Sequence, residues 1–476
     1  MSELLKPDIC VIGGGAAGIA VAAGAAQLGA KVVLIERGLL GGDNLHRGTI
    51  ASKALIAAAN RAHSARQTRS FGITPLTPAV NFRALGEHIQ SVIAAISPNE
   101  SPERLAGFGV QVLRGFGKFE SRDTVAVDAR RIMARNFVSA TGSSPALPAI
   151  AGLDKVPFLT NETLFANISR FEHLIILGNT GYALELAQAH LRLGSRVTLI
   201  SSGRFLPEFD PELAQPLVTR LGEEGVVLAE GVSCDRIEMT DTGGIRLHVS
   251  KDGDIDSLEG SHLLIAGDRA PNLAGLQLAL AGVEHDATGI KVSNRLRTSN
   301  RQIHAIGDVT GGTPSATRAR HEANILVRRL ALGAQVVTLP QAVPRVIYTS
   351  PGLAHIGMNE SEARAKYRNG LRVLRWPFSE NDLAIAERQT DGYVKILAGP
   401  SGRILGASII GEHAGEQIQT WCLAVTSGLT VAAVADSIAP YPAFAETSIR
   451  AAQGYALERP ASAGIVGVLR LLPGGN

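Results

Sequence analysis

The sequence is poor in cysteine, aromatic residues and net charge, and each shortage narrows what the chain can do. Its 476 residues include three cysteines, Cys10, Cys234 and Cys422, far apart in the chain. No CxxC pair exists, which argues against a zinc site and against a local redox pair. Cys10 lies in an apolar strand pattern and reads as core packing. Aromatics make up 4% of the chain and the formal net charge is +3, with no long run of Lys or Arg. That balance points neither to nucleic acid nor to a strongly acidic partner. No clean apolar stretch approaches the roughly 20 residues of a membrane span. The N-terminal MSELLKPD runs directly into a strand and has no signal-peptide-like apolar region. A cytoplasmic protein without a membrane span is therefore expected. The short apolar tail AGIVGVLRLLPGGN is expected to dock on the protein's own surface.

What the chain has in quantity is glycine, 52 residues, and apolar residues, 45% against 19% charged. Alanine, glycine and runs of valine and isoleucine suit parallel α/β sheets, whose strands are buried on both faces. The length accommodates about two to four domains.

The first chemical signal is DICVIGGGAAGIAVAAGAAQLGAKVVLIER, residues 8–37. It reads as strand, glycine turn, helix and strand. Gly13, Gly15 and Gly18 have G-x-G-x-x-G spacing. The first permits the tight turn, the second lets a pyrophosphate approach the backbone, and the third lets helix and strand pack closely. The helix N-terminus then faces the phosphates. Glu36 closes the second strand, where an acid suits a ribose hydroxyl.

The plan recurs in HLIILGNTGYALELAQAHLRLGSRVTLISSG, residues 173–203. An internal repeat of this type implies two nucleotide-binding units. Here Gly178 holds the first glycine place, Thr180 the second and Ala183 the third. Ser201 stands at the offset from Ala183 that Glu36 has from Gly18. The ribose acid is missing, and the nearest basic residue is Arg204. A working nicotinamide dinucleotide site and a structural remnant both fit this pattern.

With two such units in this order, the chain resembles the pyridine nucleotide–disulfide oxidoreductases, which include dihydrolipoamide dehydrogenase, mercuric reductase and soluble transhydrogenase. The resemblance also rests on GGDNLHRGTIASKAL (41–55), RGFGKFE (114–120), SATGSSP (139–145), APN (270–272) and IHAIGDVTGG (303–312). It extends through VPRVIYTSPGLAHIGMNESEA (343–363), WPFSENDLAIAE (376–387) and GRILGASIIGEHAGEQIQ (402–419). It implies an α/β chain with two Rossmann-like domains, of FAD and NAD(P) type, plus a C-terminal α+β dimerisation domain. The implied boundaries are 1–149 and 272–340 for the two FAD-binding segments, 150–271 for the NAD(P)-type domain and 341–476 for the interface domain. No additional N-terminal metal-binding domain is expected. The implied partner is a second copy of the chain, in a homodimer with active sites shared between subunits.

Carried over position by position, the resemblance implies FAD contacts from Gly13, Gly15, Gly18, Glu36, Gly42, Lys53, Gly117, Thr141, Gly142, Asp308 and Ala316. Gly178 would serve the nicotinamide cofactor, NADH or NADPH. Asp308, in AIGD, could instead be a plain helix N-cap. Lys53 and Glu185 occupy positions that pair beside the flavin's reactive edge in the family. A Lys–Glu pair there fixes charge near the ring and helps stabilise an anionic reduced flavin.

The departures from the family cluster. Asn44 and Thr49 stand where the two redox cysteines belong, and Ala51 replaces the usual proline. Neither an amide nor a hydroxyl can exchange with a disulfide, so reduction of disulfides or of mercuric ion by the family mechanism is not expected. Tyr441 replaces the histidine of the C-terminal acid–base motif, removing a base that titrates near neutral pH; Pro442 and Glu446 are retained. Gly181 holds the usual aromatic gate position, with Tyr182 one residue, or about 100° of helix, further on. Asp268 replaces a glycine.

The flavin face that usually meets the disulfide would then present Asn44, Thr49 and His46, with Tyr441 and Glu446 from the other subunit. His46 is a candidate proton donor or a solvated loop histidine. Tyr441 could be a packing aromatic, and Glu446 a helix-terminal acid. The expected activity is an FAD-dependent NAD(P)H:acceptor oxidoreductase of quinone-reductase or diaphorase type. The alternatives are a flavin dehydrogenase or oxidase that has abandoned nicotinamide, transhydrogenase-like hydride exchange, and a non-catalytic FAD-bound dimer.

Overall fold

The computed structural model describes residues 3–166 and 168–457. The apolar C-terminal tail lies outside the described residues. The chain forms two compact units. One comprises residues 1–207 with 221–340, the other residues 208–220 with 341–476.

In the first unit the chain opens with β1 (Ile9–Ile12), α1 (Ala16–Gln27) and β2 (Val32–Glu36), followed by α2 (Gly42–His46) and α3 (Thr49–Arg66). Strands β3 (Val110–Arg114) and β4 (Asn136–Ser139) come next. A second run gives β5 (His173–Leu177), α4 (Gly181–Arg192), β6 (Arg196–Ser201), β7 (Val227–Glu230) and β8 (His262–Ile265). The chain returns through β9 (Ile303–Ala305) and α5 (Ala316–Leu332).

The first sheet is parallel throughout, in the order β9-β4-β1-β2-β3. Its centre is apolar on both faces. Ile9 and Val11 pack with Val21, Ala22 and Leu326 on the helical side. Cys10 and Ile12 point the other way, onto Phe119 and Phe137. Cys10 is fully buried, and burial pushes its thiol far above the ordinary range, so it is a packing residue. Helix α1 is made of alanine and glycine where it meets α5. A Cβ on Gly24 would already lie 3.2 Å from Val327. The second parallel sheet runs β7-β6-β5-β8, and a three-stranded antiparallel sheet over residues 233–260 packs against it through Leu247, Val249 and Ile237.

The second unit is built on a five-stranded antiparallel sheet. Its strands are β10 (Arg345–Ile347), β11 (Gly352–Gly357), β12 (Arg372–Pro377), β13 (Tyr393–Ala398) and β14 (Ile404–Gly411), in the order β10-β11-β14-β13-β12. Helices α6 (Ala414–Thr426) and α7 (Glu446–Leu457) cover one face through Trp421, Ala451 and Tyr455. Lys395 on β13 is 1% exposed, and Asp210, Glu212 and Glu360 surround its ammonium at 3.0, 2.9 and 2.7 Å. Three carboxylates compensate a charge that could not otherwise leave water. They hold the 208–220 segment within this unit.

Among the described residues, no helix is long and apolar enough to cross a membrane.

Candidate functional site

The first glycine turn has the geometry its sequence requires. Gly13 has φ +107°, and a Cβ there would lie 2.4 Å from the Ala140 carbonyl oxygen. A Cβ on Gly18 would lie 1.8 Å from the Gly13 oxygen, so only glycine lets α1 sit this close to β1. Gly15 differs: a Cβ there meets nothing within 4 Å. It caps α1 without a side-chain hydrogen bond, leaving the first N–H groups of the helix for an anion. Gly42, at φ +57°, closes the cradle opposite Gly15. Glu36 accepts hydrogen bonds from the Gly14 and Gly38 amides, both at 2.5 Å.

The remaining FAD candidates are tied together. Asp308 accepts from Ser143 Oγ at 2.9 Å and from the Ser315 amide at 3.3 Å. Thr141 Oγ1 donates to the Asn272 carbonyl, and Asn272 Nδ2 donates back to the Thr141 carbonyl, both at 2.9 Å. Gly142, with φ +70°, has open space where a Cβ would be. Gly117 packs against Ile12 and Ile35. Ala316 opens α5 behind its N-cap, Ser315. An uncapped helix end, an open glycine cradle and an acid at the strand end fit a dinucleotide, so these residues fit FAD.

Lys53 on α3 and Glu185 on α4 meet at 2.6 Å, with Glu185 4% exposed. A carboxylate so deeply placed requires a compensating cation. Asn44 lies on α2 and Thr49 opens α3. His46 donates through Nε2 to the Leu40 carbonyl at 2.8 Å, which commits one ring nitrogen to holding the loop.

Asp43, Arg269, Asn161 and Ser143, beside this segment, were not singled out as site residues by the sequence reading. Asp43, adjacent to Asn44, receives Arg269 Nη2 at 2.5 Å. Arg269 also donates to Asn161 Oδ1 at 3.0 Å, to Ser143 Oγ at 2.8 Å and to the Ser143 carbonyl at 2.6 Å. Ser143 in turn donates to Asp308. A continuous chain of hydrogen bonds therefore runs from α2 to the acid proposed to bind FAD. Its only sequence signal was the position of Arg269 just before the APN stretch. The hydroxyl of Tyr182 is buried with no hydrogen-bond partner among the described residues. Burial, and secondarily Glu185, push its phenol well above the ordinary range.

The second nucleotide-type segment, residues 173–203, repeats the glycine turn of the first but not its second glycine place. Gly178 has φ +154°, and its Cβ would lie 2.4 Å from the Ala266 oxygen, the same separation as Gly13 from Ala140. Thr180, however, caps α4 with its own hydroxyl, accepting from the Ala183 amide at 3.3 Å and donating to the Ala266 carbonyl at 3.0 Å. One donor that Gly15 leaves open in α1 is taken here. Ser201 Oγ accepts from the Gly203 amide at 3.1 Å, as Glu36 does from Gly38. Its direct register partner on the neighbouring strand is Glu230, which accepts the Phe205 amide at 2.5 Å.

In the second unit, Tyr441 is 71% exposed and donates its hydroxyl to Asp382 at 2.9 Å. That bond raises its phenol above the ordinary range. Glu446 opens α7, with Arg450 one turn on at 4.0 Å.

Two dinucleotide-type turns on parallel sheets, joined by a Lys–Glu pair, define a two-nucleotide flavoenzyme scaffold. The chain belongs to the pyridine nucleotide-disulphide oxidoreductases: their sequence pattern matches residues 7–323, and that of their dimerisation domain matches residues 343–452. It is similar to mercuric reductase of Bacillus cereus, 34% identical over 92% of this chain and 70% of that protein. A mercuric reductase of Streptomyces lividans is 33% identical over 94% and 96% of the respective chains. A dihydrolipoyl dehydrogenase of Bacillus subtilis is 31% identical over 92% and 96%. The fold matches that of the HOCl-induced flavoprotein disulfide reductase RclA from Escherichia coli, solved as a Cu(II) complex. The TM-score is 0.83 over 94% of this chain and 99% of that one, at 24% identity. The family uses FAD and NAD(P)H, and this chain is an FAD-dependent NAD(P)H oxidoreductase carrying the family's dimerisation domain.

Proposed function

We propose that the chain passes hydride from NAD(P)H through FAD to a small acceptor, of quinone or diaphorase type, without a disulfide relay. The observation that carries this reading is a contrast within one segment. Lys53 pairs with buried Glu185, while Asn44 and Thr49 supply no sulfur where the resemblance implies a redox pair. The three cysteines present are free, and Cys10 and Cys422 are buried.

Bound FAD would supply two-electron chemistry between nicotinamide and acceptor. The glycine cradle, Glu36 and Asp308 would hold it. Lys53 would place positive charge beside the ring, and Glu185 would fix the lysine's direction. Asn44 and Thr49 would hydrogen-bond the acceptor. His46, tethered to Leu40, would offer Nδ1, and Tyr441 and Glu446 of a second copy would complete the site in a homodimer. The proposed segments are 1–149 and 272–340 for FAD, 150–271 for pyridine nucleotide and 341–476 for the interface.

The test is anaerobic reductive titration. NADH or NADPH bleaches the flavin, and full reduction takes about two electrons per FAD rather than about four, because no disulfide shares them. An uptake of about four electrons, or a thiolate-to-flavin absorption band, defeats the proposal. The self-capped N-terminus of α4 favours a second reading, an FAD dehydrogenase or oxidase reduced by an organic substrate. Failure of both nicotinamides to bleach the flavin would move the assignment there.

A further inference from the structure

The acid that normally closes the second strand of a dinucleotide unit is missing at Ser201, yet the sheet supplies a carboxylate one strand away. Strands β6 and β7 are parallel and in direct register, Ser201 opposite Glu230. Both residues therefore end their strands at the same sheet edge, the carboxyl edge where α/β sheets bind ligands. Neighbouring strands lie about 4.8 Å apart, a step that a glutamate side chain spans. The hydrogen bonds show that it does. Glu230 Oε1 accepts the amide of Phe205, in the loop leaving β6, at 2.5 Å. Its carboxylate thus sits at the exit of β6 rather than of its own strand.

Comparison with the first unit sharpens this. There Glu36 holds two amides, those of Gly14 and Gly38, and its register partner on β3 is Arg114. In the second unit Ser201 keeps the bond two residues ahead, to Gly203, and the acid has moved to the partner strand. The polarity of the cross-strand pair is reversed: acid opposite Arg in one unit, hydroxyl opposite acid in the other. Arg204, the nearest cation in sequence, is turned onto its own loop and donates to the Pro207 carbonyl at 3.1 Å.

We infer that Glu230, in place of residue 201, is the adenosine-ribose acid of the pyridine nucleotide unit, and that it makes the chain select NADH over NADPH. The inference rests on the NAD(P)H reading above. A carboxylate at this edge accepts hydrogen bonds from the 2′- and 3′-hydroxyls of NADH. The 2′-phosphate of NADPH would place like charge against it and leave its hydrogen-bonding oxygen without a donor. Specificity then comes from repulsion of the wrong cofactor as much as from attraction of the right one.

The test measures dissociation constants of NAD+ and NADP+ for the oxidised FAD-loaded protein by calorimetry, so that binding is read separately from flavin reduction. The wild type should bind NAD+ at least about tenfold more tightly than NADP+. Glu230→Gln keeps an acceptor for the Phe205 amide but removes the charge. It should bring the two constants within about threefold of each other. Adding Ser201→Glu to that variant restores an acid at the strand end and should restore the preference. Equal binding by the wild type, or a preference unchanged in Glu230→Gln, overturns the inference while leaving the NAD(P)H reading intact. Absence of binding by either nucleotide defeats both. Selective NAD+ binding without flavin bleaching by NADH defeats the NAD(P)H reading alone.

Discussion

Glu185 is a carboxylate at 4% exposure whose charge is tolerated because Lys53 stands 2.6 Å away. Removing either group does different damage. Lys53→Met leaves a buried anion without its cation, which should cost about 2 kcal/mol of stability, below the full value for buried pairs because Lys53 is partly exposed. The same change should slow flavin reduction by NADH more than tenfold, read by stopped-flow absorbance. Glu185→Gln leaves a lysine that can return to solvent, so it should lose rate with less loss of stability. Equal reduction rates in wild type and Lys53→Met would show that the pair serves structure only. Asp43 and Arg269 form another ion pair, 226 residues apart in sequence, which ties α2, beside Asn44, to the strand end that carries Arg269.

At the scale of elements, α1 and α4 are the same device in two states. Each follows a buried parallel strand and a positive-φ glycine that clears a carbonyl oxygen by the same margin. In α1 the N-cap is a glycine with no side-chain bond, whereas in α4 it is Thr180, which bonds its own helix. Pyrophosphate must compete with that hydroxyl for the amides of the first turn. Thr180→Gly should therefore strengthen NAD+ binding by up to about tenfold, one charge-assisted hydrogen bond regained. It should cost only a few tenths of a kcal/mol in stability, as Thr-to-Gly changes at N-caps do. Calorimetric titration beside thermal unfolding checks both, and unchanged affinity would mean that the cap does not limit binding. The positions of the turn glycines were legible in the sequence because their roles are local. Gly13 and Gly18 answer to backbone geometry within a few residues. The self-capping of Thr180 was not, because a threonine at that position announces bulk but not the direction of its hydroxyl.

For the molecule as a whole, buried neutral histidines should make stability fall at mild acidity. His190, His304 and His355 are each lowered to about 4, chiefly by burial. His190 is fully buried against Phe171, with neither ring nitrogen hydrogen-bonded among the described residues. The folded state disfavours the protonated form, whereas the unfolded chain takes up protons near pH 6.5. The stability these groups confer is thus complete above about pH 6.5 and is lost as pH falls toward 4, by up to about 1.4 kcal/mol per pH unit for each histidine. Glu322, raised by burial, opposes the trend from its own side, being favoured when protonated. Denaturation midpoints measured from pH 7 to 4.5 should fall, and His190→Leu should flatten the slope by about one proton. An unchanged slope in that variant would place the titration elsewhere.

Residue order along the chain was enough to read the two nucleotide turns, the acid at Glu36, the family, and Asn44 and Thr49 at the places where the resemblance expects sulfur. These are set by residue types at fixed short spacings, where φ, helix geometry and the presence of a sulfur leave few options. That Arg269 reaches Asp43 and that Glu230 stands opposite Ser201 emerges in three dimensions alone. Strand register and long-range packing bring those residues together, and no short spacing encodes them. The missing acid of the second unit was visible in one dimension, and its replacement only in the sheet.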